Sequence, residues 1–194
     1  GVDPETGMVI YEDLNGDGKI NVSDKHYIGD ANPIFTAGMT NTISWKGLSL
    51  SFLLTSSVGN DIYNASKIEM IGMYNGSNQI KDAVRRWRVP GQVTDIPKAG
   101  ELDNLRASTR WVEDGSYLKV KNITLSYDIV HPALKKANIS RIRPYITLDN
   151  MITFTKYSGY DPEMSQYASA TNMGIDWGTY PCVKTVLFGV NVEF

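Results

Sequence analysis

Apolar and polar residues alternate in five segments of the chain, at 35–45, 48–57, 117–129, 142–150 and 186–194. Alternation with a period of two residues predicts β-strands that have one apolar and one polar face. The first two segments are separated only by Lys46 and Gly47, which predicts a hairpin over 34–57. The sequence therefore predicts an all-β protein with about five antiparallel strands.

The alternation also assigns the residues of each strand to one of two faces. One predicted face is apolar and contains Leu50, Phe52, Ile123, Leu125, Ile146, Val190 and Val192. The other is polar or small and contains Ser51, Thr124, Ser126, Thr147, Gly189 and Asn191.

Long and short connections alternate along the chain. The pattern divides it into a long segment at 1–33, the hairpin at 34–57, a long loop at 58–116, two strands at 117–154, a loop at 155–182 and a closing strand at 183–194. An up-and-down membrane barrel has short turns at one end and long loops at the other. A soluble antiparallel sheet accounts for the alternation equally well, so both architectures stay open at this point.

The composition excludes some classes of protein. Among 194 residues, 19 Lys and Arg stand against 21 Asp and Glu, and a net charge of −2 gives no field that would favour nucleic acid. The apolar-rich stretch Leu48–Val58 is interrupted by Ser and Thr and is too short for a membrane-spanning helix, whereas a barrel strand needs only about 9–11 residues. Because the chain begins at Gly1 without a signal peptide, we expect a piece of a longer protein.

One amphipathic helix is predicted inside the 58–116 loop. Ser77 is a suitable N-cap, and Ile80, Ala83, Val84 and Trp87 form an apolar stripe that ends before Pro90. This stripe predicts a locally packed loop helix.

Residues 13–24 have the pattern of a calcium-binding loop. Asp13, Asn15 and Asp17 are spaced two apart, Gly18 allows a sharp turn, Lys19 offers its carbonyl oxygen and Asp24 occupies the twelfth position. Oxygen ligands at this density predict a structural Ca²⁺ site, with Mg²⁺ as the alternative ion. Asp24 is shorter than the Glu usual at that position and resembles dockerin-type loops. A metal-free turn rich in Asn, Gly and Asp is the other interpretation.

No catalytic constellation is recognisable in the sequence. His26 and His131 are far apart, and no zinc, nucleotide-binding or nucleophile-elbow motif occurs. Asp161 and Glu163 flank Pro162 as a candidate carboxylate pair, but a tight turn without partners is weak support for a glycosidase. We therefore expect a protein that is not an enzyme.

A series of motifs extends over nearly the whole chain, at 13–20, 28–33, 59–64, 87–90, 112–127, Asn150, 156–163, 180–181 and 186–194. In their order and spacing these blocks resemble the C-terminal portion of the SusC/RagA family of TonB-dependent transporters. The closing segment ends on Phe194, which resembles the terminal aromatic residue that the outer-membrane assembly machinery recognises in bacterial barrels.

The resemblance implies a 22-stranded transmembrane β-barrel in the bacterial outer membrane, of which this chain holds about the last five strands. It implies import of oligosaccharides or peptides, with energy from TonB acting through an N-terminal part that lies outside the chain, and with a SusD-like surface lipoprotein as partner. It also implies that 1–33, 58–116 and 155–182 are extracellular. The substrate-binding residues are not identifiable from the sequence. The alternative function is a calcium-stabilised soluble β-domain that binds carbohydrate at the cell surface.

Overall fold

A computed structural model describes residues 1–163 and 172–194. The strands, in chain order, are β1 (Phe35–Trp45), β2 (Leu48–Val58), β3 (Asp61–Asn64), β4 (Val112–Asp114), β5 (Tyr117–Tyr127), β6 (Arg141–Thr155), β7 (Ile175–Asp176) and β8 (Thr185–Glu193). Two α-helices, α1 (Ala65–Ile71) and α2 (Pro132–Lys135), lie in connections. Short 3₁₀ helices span Val22–Asp24, Lys81–Arg85, Leu102–Leu105 and Thr109–Trp111.

Five strands form one antiparallel sheet in the order β1-β2-β5-β6-β8, which confirms the predicted all-β fold. Leu50 lies opposite Leu125, and Leu125 lies opposite Ile146, so these apolar side chains share one face. The polar row beside it aligns Ser51, Thr124 and Thr147 in the same way. The predicted division of the strands into an apolar and a polar face is therefore present in the sheet.

The two ends of the sheet differ. The turn end carries the two-residue turn Lys46-Gly47 and the connection 128–140, which contains α2. The loop end carries the N-terminal segment, the long connection between β2 and β5, and the connection between β6 and β8. The two ends are those of an up-and-down arrangement, with long connections at one end only.

Bulges near the loop end shift the strand register. Val120 pairs with Ile152, but Asn122 pairs with Asp149. Lys121 of β5 and residues 150 and 151 of β6 therefore have no direct partners in the β5–β6 ladder. Asn150 has a φ of 53°, a left-handed conformation that Asn tolerates better than most residues. Beyond the bulges, Thr55, Lys119 and Thr153 are cross-strand neighbours on the polar face.

The apolar face of the five-stranded sheet is uncovered. Phe188 is 74% exposed and Leu125 is 41% exposed, and in the described part of the chain no second sheet lies over them. Among the described residues, the buried apolar side chains all lie outside the five strands: Ile62, Ala65, Ile71, Ala83, Ile96, Trp111 and Tyr157. The described core therefore sits in the connections at the loop end.

The predicted loop helix at 77–87 is wrong. Only Lys81–Arg85 is helical, as a 3₁₀ turn whose N-cap residue Ile80 offers no side-chain hydrogen bond. Ala83 is buried but Val84 is exposed, so the apolar stripe does not face one core. The α-helix of this connection is α1, which Asn64 caps by accepting a hydrogen bond from the Lys67 amide. Of the helices in the described residues, none has both the length and the apolar character to cross a membrane.

Candidate functional site at the loop end

Three parts of the chain that are distant in sequence form a small second sheet at the loop end, in the order β4-β3-β7. β3 pairs antiparallel with β4 and parallel with β7, and Tyr63 lies opposite Ile175. We call the assembly of 59–116, 156–163 and 172–184 the loop layer. Its core contains Ile62, Ile71 and Trp111, and the Trp111 indole N–H donates to the Arg106 carbonyl oxygen at 3.0 Å. The loop layer is thus packed around its own apolar residues.

A partly buried polar network connects the segments of the loop layer. The Glu113 carboxylate accepts hydrogen bonds from the Lys67 ammonium at 2.9 Å and from the Ser158 amide and hydroxyl at 2.8 Å each. Burial raises the pKa of Glu113, but these hydrogen bonds outweigh burial and the net pKa is lowered. The Tyr157 hydroxyl donates to Asp176 at 2.6 Å, and burial together with this bond raises the pKa of Tyr157. Both contacts hold the segment after β6 in place.

A second ionic cluster joins the loop layer to the polar face of the sheet. Lys119 is 1% exposed, and its ammonium lies 2.9 Å and 3.1 Å from the two Asp161 oxygens and 2.8 Å from Glu163. Lys121 pairs with the other Glu163 oxygen at 2.5 Å. Two cations therefore balance two anions. Burial raises the pKa of Asp161 and of Glu163, but the hydrogen bonds and charges of the cluster lower both below their usual values.

The candidate carboxylate pair at 161 and 163 therefore has a different arrangement from that of a glycosidase. Both side chains neutralise Lys119, and Asp161 also accepts from the Cys182 amide at 3.3 Å. Sequence reasoning did not connect Lys119 with these carboxylates. The residues lie 42 and 44 positions apart, and no local pattern marks such a pair.

A pocket of about 450 Å³ opens beside this cluster. Its wall is formed by β5, by β6 and the segment that follows it, and by the segment that leads into β8. The lining residues are Lys119, Asn150, Thr153, Tyr160, Asp161 and residues 180–184. The Asn150 side-chain N–H donates to the Val183 carbonyl oxygen at 3.1 Å and holds the segment that leads into β8. The Asn150 side-chain oxygen is buried and has no hydrogen-bond partner among the described residues.

The segment 13–24 forms a compact loop at the edge of the loop layer. Asp13 accepts from the Gly16 and Gly18 amides at 2.8 Å and 2.7 Å, and Asp24 accepts from the Leu14 and Asn21 amides at 3.0 Å and 2.7 Å. Arg106 donates to the Ile20 carbonyl oxygen at 2.7 Å and attaches the loop to the rest of the molecule.

The donor set of this loop suits a hard cation, but its side chains do not converge. Asn15 accepts from the Asp17 amide, and Asp17 accepts from the Lys19 amide and from Asn15. Across the described ranges, no three His, Cys, Asp or Glu side chains are placed to hold a metal ion. A carboxylate oxygen that accepts one N–H still has a free lone pair, so the carboxylates retain the capacity for a cation. Calcium binding therefore stays a prediction.

Phe194 lies at the turn end, one residue beyond β8, and is 82% exposed. It is not one of the buried core residues of the described chain. Its predicted role in assembly stays a prediction.

The sequence is similar over almost its whole length to TonB-dependent receptors. It is 34% identical over 197 residues to TonB-dependent receptor P3 of Formosa agariphila, which covers 99% of this chain and 19% of that protein. It is 27% identical over 195 residues to TonB-dependent receptor SusC of Bacteroides thetaiotaomicron, covering 95% of this chain and 17% of the receptor. No family model matches the sequence.

The fold is similar to solved structures of the RagAB peptide transporter. One of them superposes with a TM-score of 0.84 and 26% identity over 100% of this chain and 22% of that chain. A RagAB peptide importer in an open-open state gives a TM-score of 0.78 at 25% identity. The chain spans about a fifth of the length of the relatives it matches. Over this fifth, its sequence is similar to TonB-dependent receptors, SusC among them, and its fold is similar to RagAB, as expected for a C-terminal portion of such a receptor.

Proposed function

We propose that the protein to which this chain belongs is an outer-membrane importer of oligosaccharides or peptides that works with TonB and a SusD-like lipoprotein. The observation that carries the proposal is the uncovered apolar face of the sheet, combined with a packed loop layer at one end only. In a membrane barrel that face contacts lipid. The soluble carbohydrate-binding alternative needs the same face in a packed core, and it has no support in the exposure of Leu125 and Phe188.

The dimensions of the sheet support a membrane position. Trp45 and Phe35 lie on the same face of β1 at its two ends, and both are exposed. Ten residues span about 33 Å along a strand, which is about 25 Å along the membrane normal at a tilt of about 40°. This height equals that of the apolar band of outer-membrane barrels, where aromatic residues mark both boundaries. We infer that these residues lie near the two membrane surfaces.

The family resemblance implies that the loop end is extracellular, and the loop layer would then face the substrate and the lipoprotein. The segments 1–33, 58–116 and 155–182 would then be extracellular, whereas Lys46-Gly47 and 130–141 would be periplasmic. The TonB-contacting part belongs to the remainder of the protein. The polar face of the sheet, with its Ser, Thr and Asn rows, would face the lumen of the barrel.

Deletion of the full-length gene tests the import function. The deletion strain should lose growth on one oligosaccharide or peptide source, a TonB-deficient strain should lose the same growth, and the full-length gene should restore it only where TonB is present. Fractionation should recover the full-length protein with the outer membrane. Recovery in the soluble fraction would contradict the proposal.

We also propose that residues 13–24 bind Ca²⁺ as a structural ion. Asp13, Asn15, Asp17, the Lys19 carbonyl oxygen and Asp24 supply a set of hard oxygen donors. Binding would exchange some of the amide contacts of these side chains for metal contacts. Because the loop is attached through Arg106, the ion would stiffen one edge of the loop layer.

A further inference from the structure

We propose that the pocket beside Lys119 binds one sugar ring of a neutral saccharide, as a subsite on the inner wall of the barrel. The inference rests on the proposed import function and chooses between its two substrate classes. The pocket lies on the polar face of the sheet, because Lys119 and Thr153 belong to the same row of cross-strand neighbours on that face. A ligand in it would be open to the lumen near the extracellular end.

The pocket exists because two chain segments separate above the bulge. Asp149 is the last residue of β6 that pairs with β8, but β6 continues as far as Thr155. The segment 180–184, which leads into β8, turns away from this extension instead of pairing with it. Asn150 bridges the separation through its bond to Val183. The gap is therefore a formed feature of the wall.

The floor of the pocket has a hydrogen-bond acceptor that lacks a donor. The Asn150 side-chain oxygen is buried without a partner among the described residues, although its amide nitrogen is used. A buried acceptor without a donor costs free energy, so such a group points to a ligand or an ordered water molecule. The Thr153 hydroxyl lines the same space. A ligand hydroxyl could donate to Asn150 and exchange hydrogen bonds with Thr153.

The charges in the pocket favour an uncharged ligand. Asp161 and Lys119 neutralise each other within the four-residue cluster, where two cations meet two anions. Lys184 is exposed on the rim, and solvent and salt screen its charge. A zwitterionic short peptide would find no matching pair of unpaired charges among the described lining residues, whereas a neutral sugar needs none.

Two tyrosines supply apolar surfaces at the rim. Tyr160 is 70% exposed and Tyr180 is 77% exposed, and neither hydroxyl has a hydrogen-bond partner within the described residues. Aromatic rings with a polar tip combine a flat apolar surface with hydrogen bonding. The C–H face of a sugar ring can pack on such a surface while its hydroxyls reach the polar floor. The volume of about 450 Å³ is within the range of small-molecule sites.

The test uses the purified full-length receptor in detergent, titrated calorimetrically with neutral tetrasaccharides of glucose, galactose, mannose and xylose and with mixed tetrapeptides. We expect at least one tetrasaccharide to bind. Tyr180→Ala should then weaken binding about tenfold or more, whereas Tyr180→Phe, which keeps the ring, should stay close to wild type. Asn150→Gly removes the acceptor and keeps the left-handed backbone accessible, so it should also weaken binding. Tyr27→Ala is the matched control, because Tyr27 is 99% exposed and does not line the pocket.

Three results would overturn the inference: no binding of any tetrasaccharide to wild type, binding of tetrapeptides alone, or equal affinities for Tyr180→Ala and Tyr27→Ala. Each of these three results concerns only the saccharide subsite, and the growth and fractionation experiments test the import function separately. A receptor that binds peptides alone and supports TonB-dependent growth on them would keep the proposed function and lose the saccharide subsite. A receptor absent from the outer membrane would defeat the import function.

Discussion

Lys119 brings a buried positive charge onto the polar face of the sheet, and its contacts explain why the fold accepts it. An isolated buried ammonium group is costly, but this one has three carboxylate oxygens within 3.1 Å. The carboxylates belong to the segment that follows β6. The ion pairs therefore decide where that segment lies, and with it one side of the pocket.

Replacement of Lys119 should release this segment. Lys119→Met leaves Asp161 buried without its cation, and removal of one partner of a buried pair costs about 3–5 kcal/mol. Hydrogen exchange of the full-length protein should show lost protection at 156–163. Lys121→Met is the matched control, because Lys121 is 38% exposed and an exposed pair contributes at most about 1 kcal/mol. Equal protection in both variants would contradict the anchoring role of Lys119.

The same cluster predicts a dependence on pH. The folded-state pKa values of Asp161 and Glu163 are lowered, so their contribution to stability is complete above the unfolded pKa values of about 4 and is lost as pH falls through the lower folded values. Exchange protection factors at 156–163 should be constant from neutral pH to pH ~5 and decrease below pH ~4. An increase in protection at 156–163 on acidification would contradict the predicted direction of the pH dependence.

Calcium binding at 13–24 is tested by removal of single ligands. Asp13→Ala and Asp17→Ala should abolish the calorimetric heat of Ca²⁺ binding to the full-length protein, whereas Glu5→Ala, an exposed carboxylate outside the loop, should leave it unchanged. At a Ca²⁺ concentration 100 times Kd, the bound ion should stabilise the fold by about 2.7 kcal/mol. Absence of binding heat in wild type would favour the metal-free turn.

Each long strand presents two surfaces with different surroundings. Leu125 belongs to the uncovered apolar face, and the adjacent Thr124 belongs to the polar face, where its hydroxyl bonds to that of Thr147 at 2.9 Å. In a barrel wall these neighbours meet lipid and lumen water. The difference between them is accessible to mutagenesis.

A charge should therefore be costly on one face only. Ile123→Arg, near the middle of β5 on the apolar face, should destabilise the full-length protein in lipid by about 2–4 kcal/mol, whereas Thr124→Arg should cost less because lumen water solvates the charge. Denaturant unfolding in vesicles measures both. Leu125→Ala adds a check: it leaves no cavity when the side chain faces lipid, so a loss above about 2 kcal/mol would indicate a packed core instead.

The strands were predictable from the sequence because apolar and polar residues alternate with a period of two. The two-residue turn Lys46-Gly47 also fixes the register of the hairpin. The predicted strand limit at 154 lies one residue from the observed end of β6 at Thr155, although the bulge at Asn150 interrupts the alternation before that point. The stripe at 77–87 indicated a helix, but tertiary contacts left only a 3₁₀ turn. The pocket was also unpredictable. It depends on Lys119 meeting Asp161 and on the divergence of β8 from β6, and both involve residues far apart in the sequence.

At the scale of the whole molecule, we predict that the end of the chain directs assembly into the membrane. Phe194 is exposed and does not contribute to the described core, so its removal should leave the fold of the sheet intact. Deletion of Phe194 should nevertheless lower the amount of full-length protein in the outer membrane. Phe194→Trp keeps an aromatic terminus and should retain wild-type levels. Unchanged levels after deletion would defeat the proposed assembly role.

The parallel pairing of β3 with β7 has a consequence for the order of events during folding. Tyr63 meets Ile175 across 112 residues, whereas β1 and β2 meet across a two-residue turn. Closure of so long a loop is entropically costly and slow. The β1–β2 hairpin can therefore form early, whereas the small sheet forms only after β7 has joined β3. The loop layer is then completed later than the β1–β2 hairpin. A chain that stalls before Ile175 would lack both β7 and β8, so it could form the β1–β2 hairpin but would leave the loop layer unfinished and open to proteases.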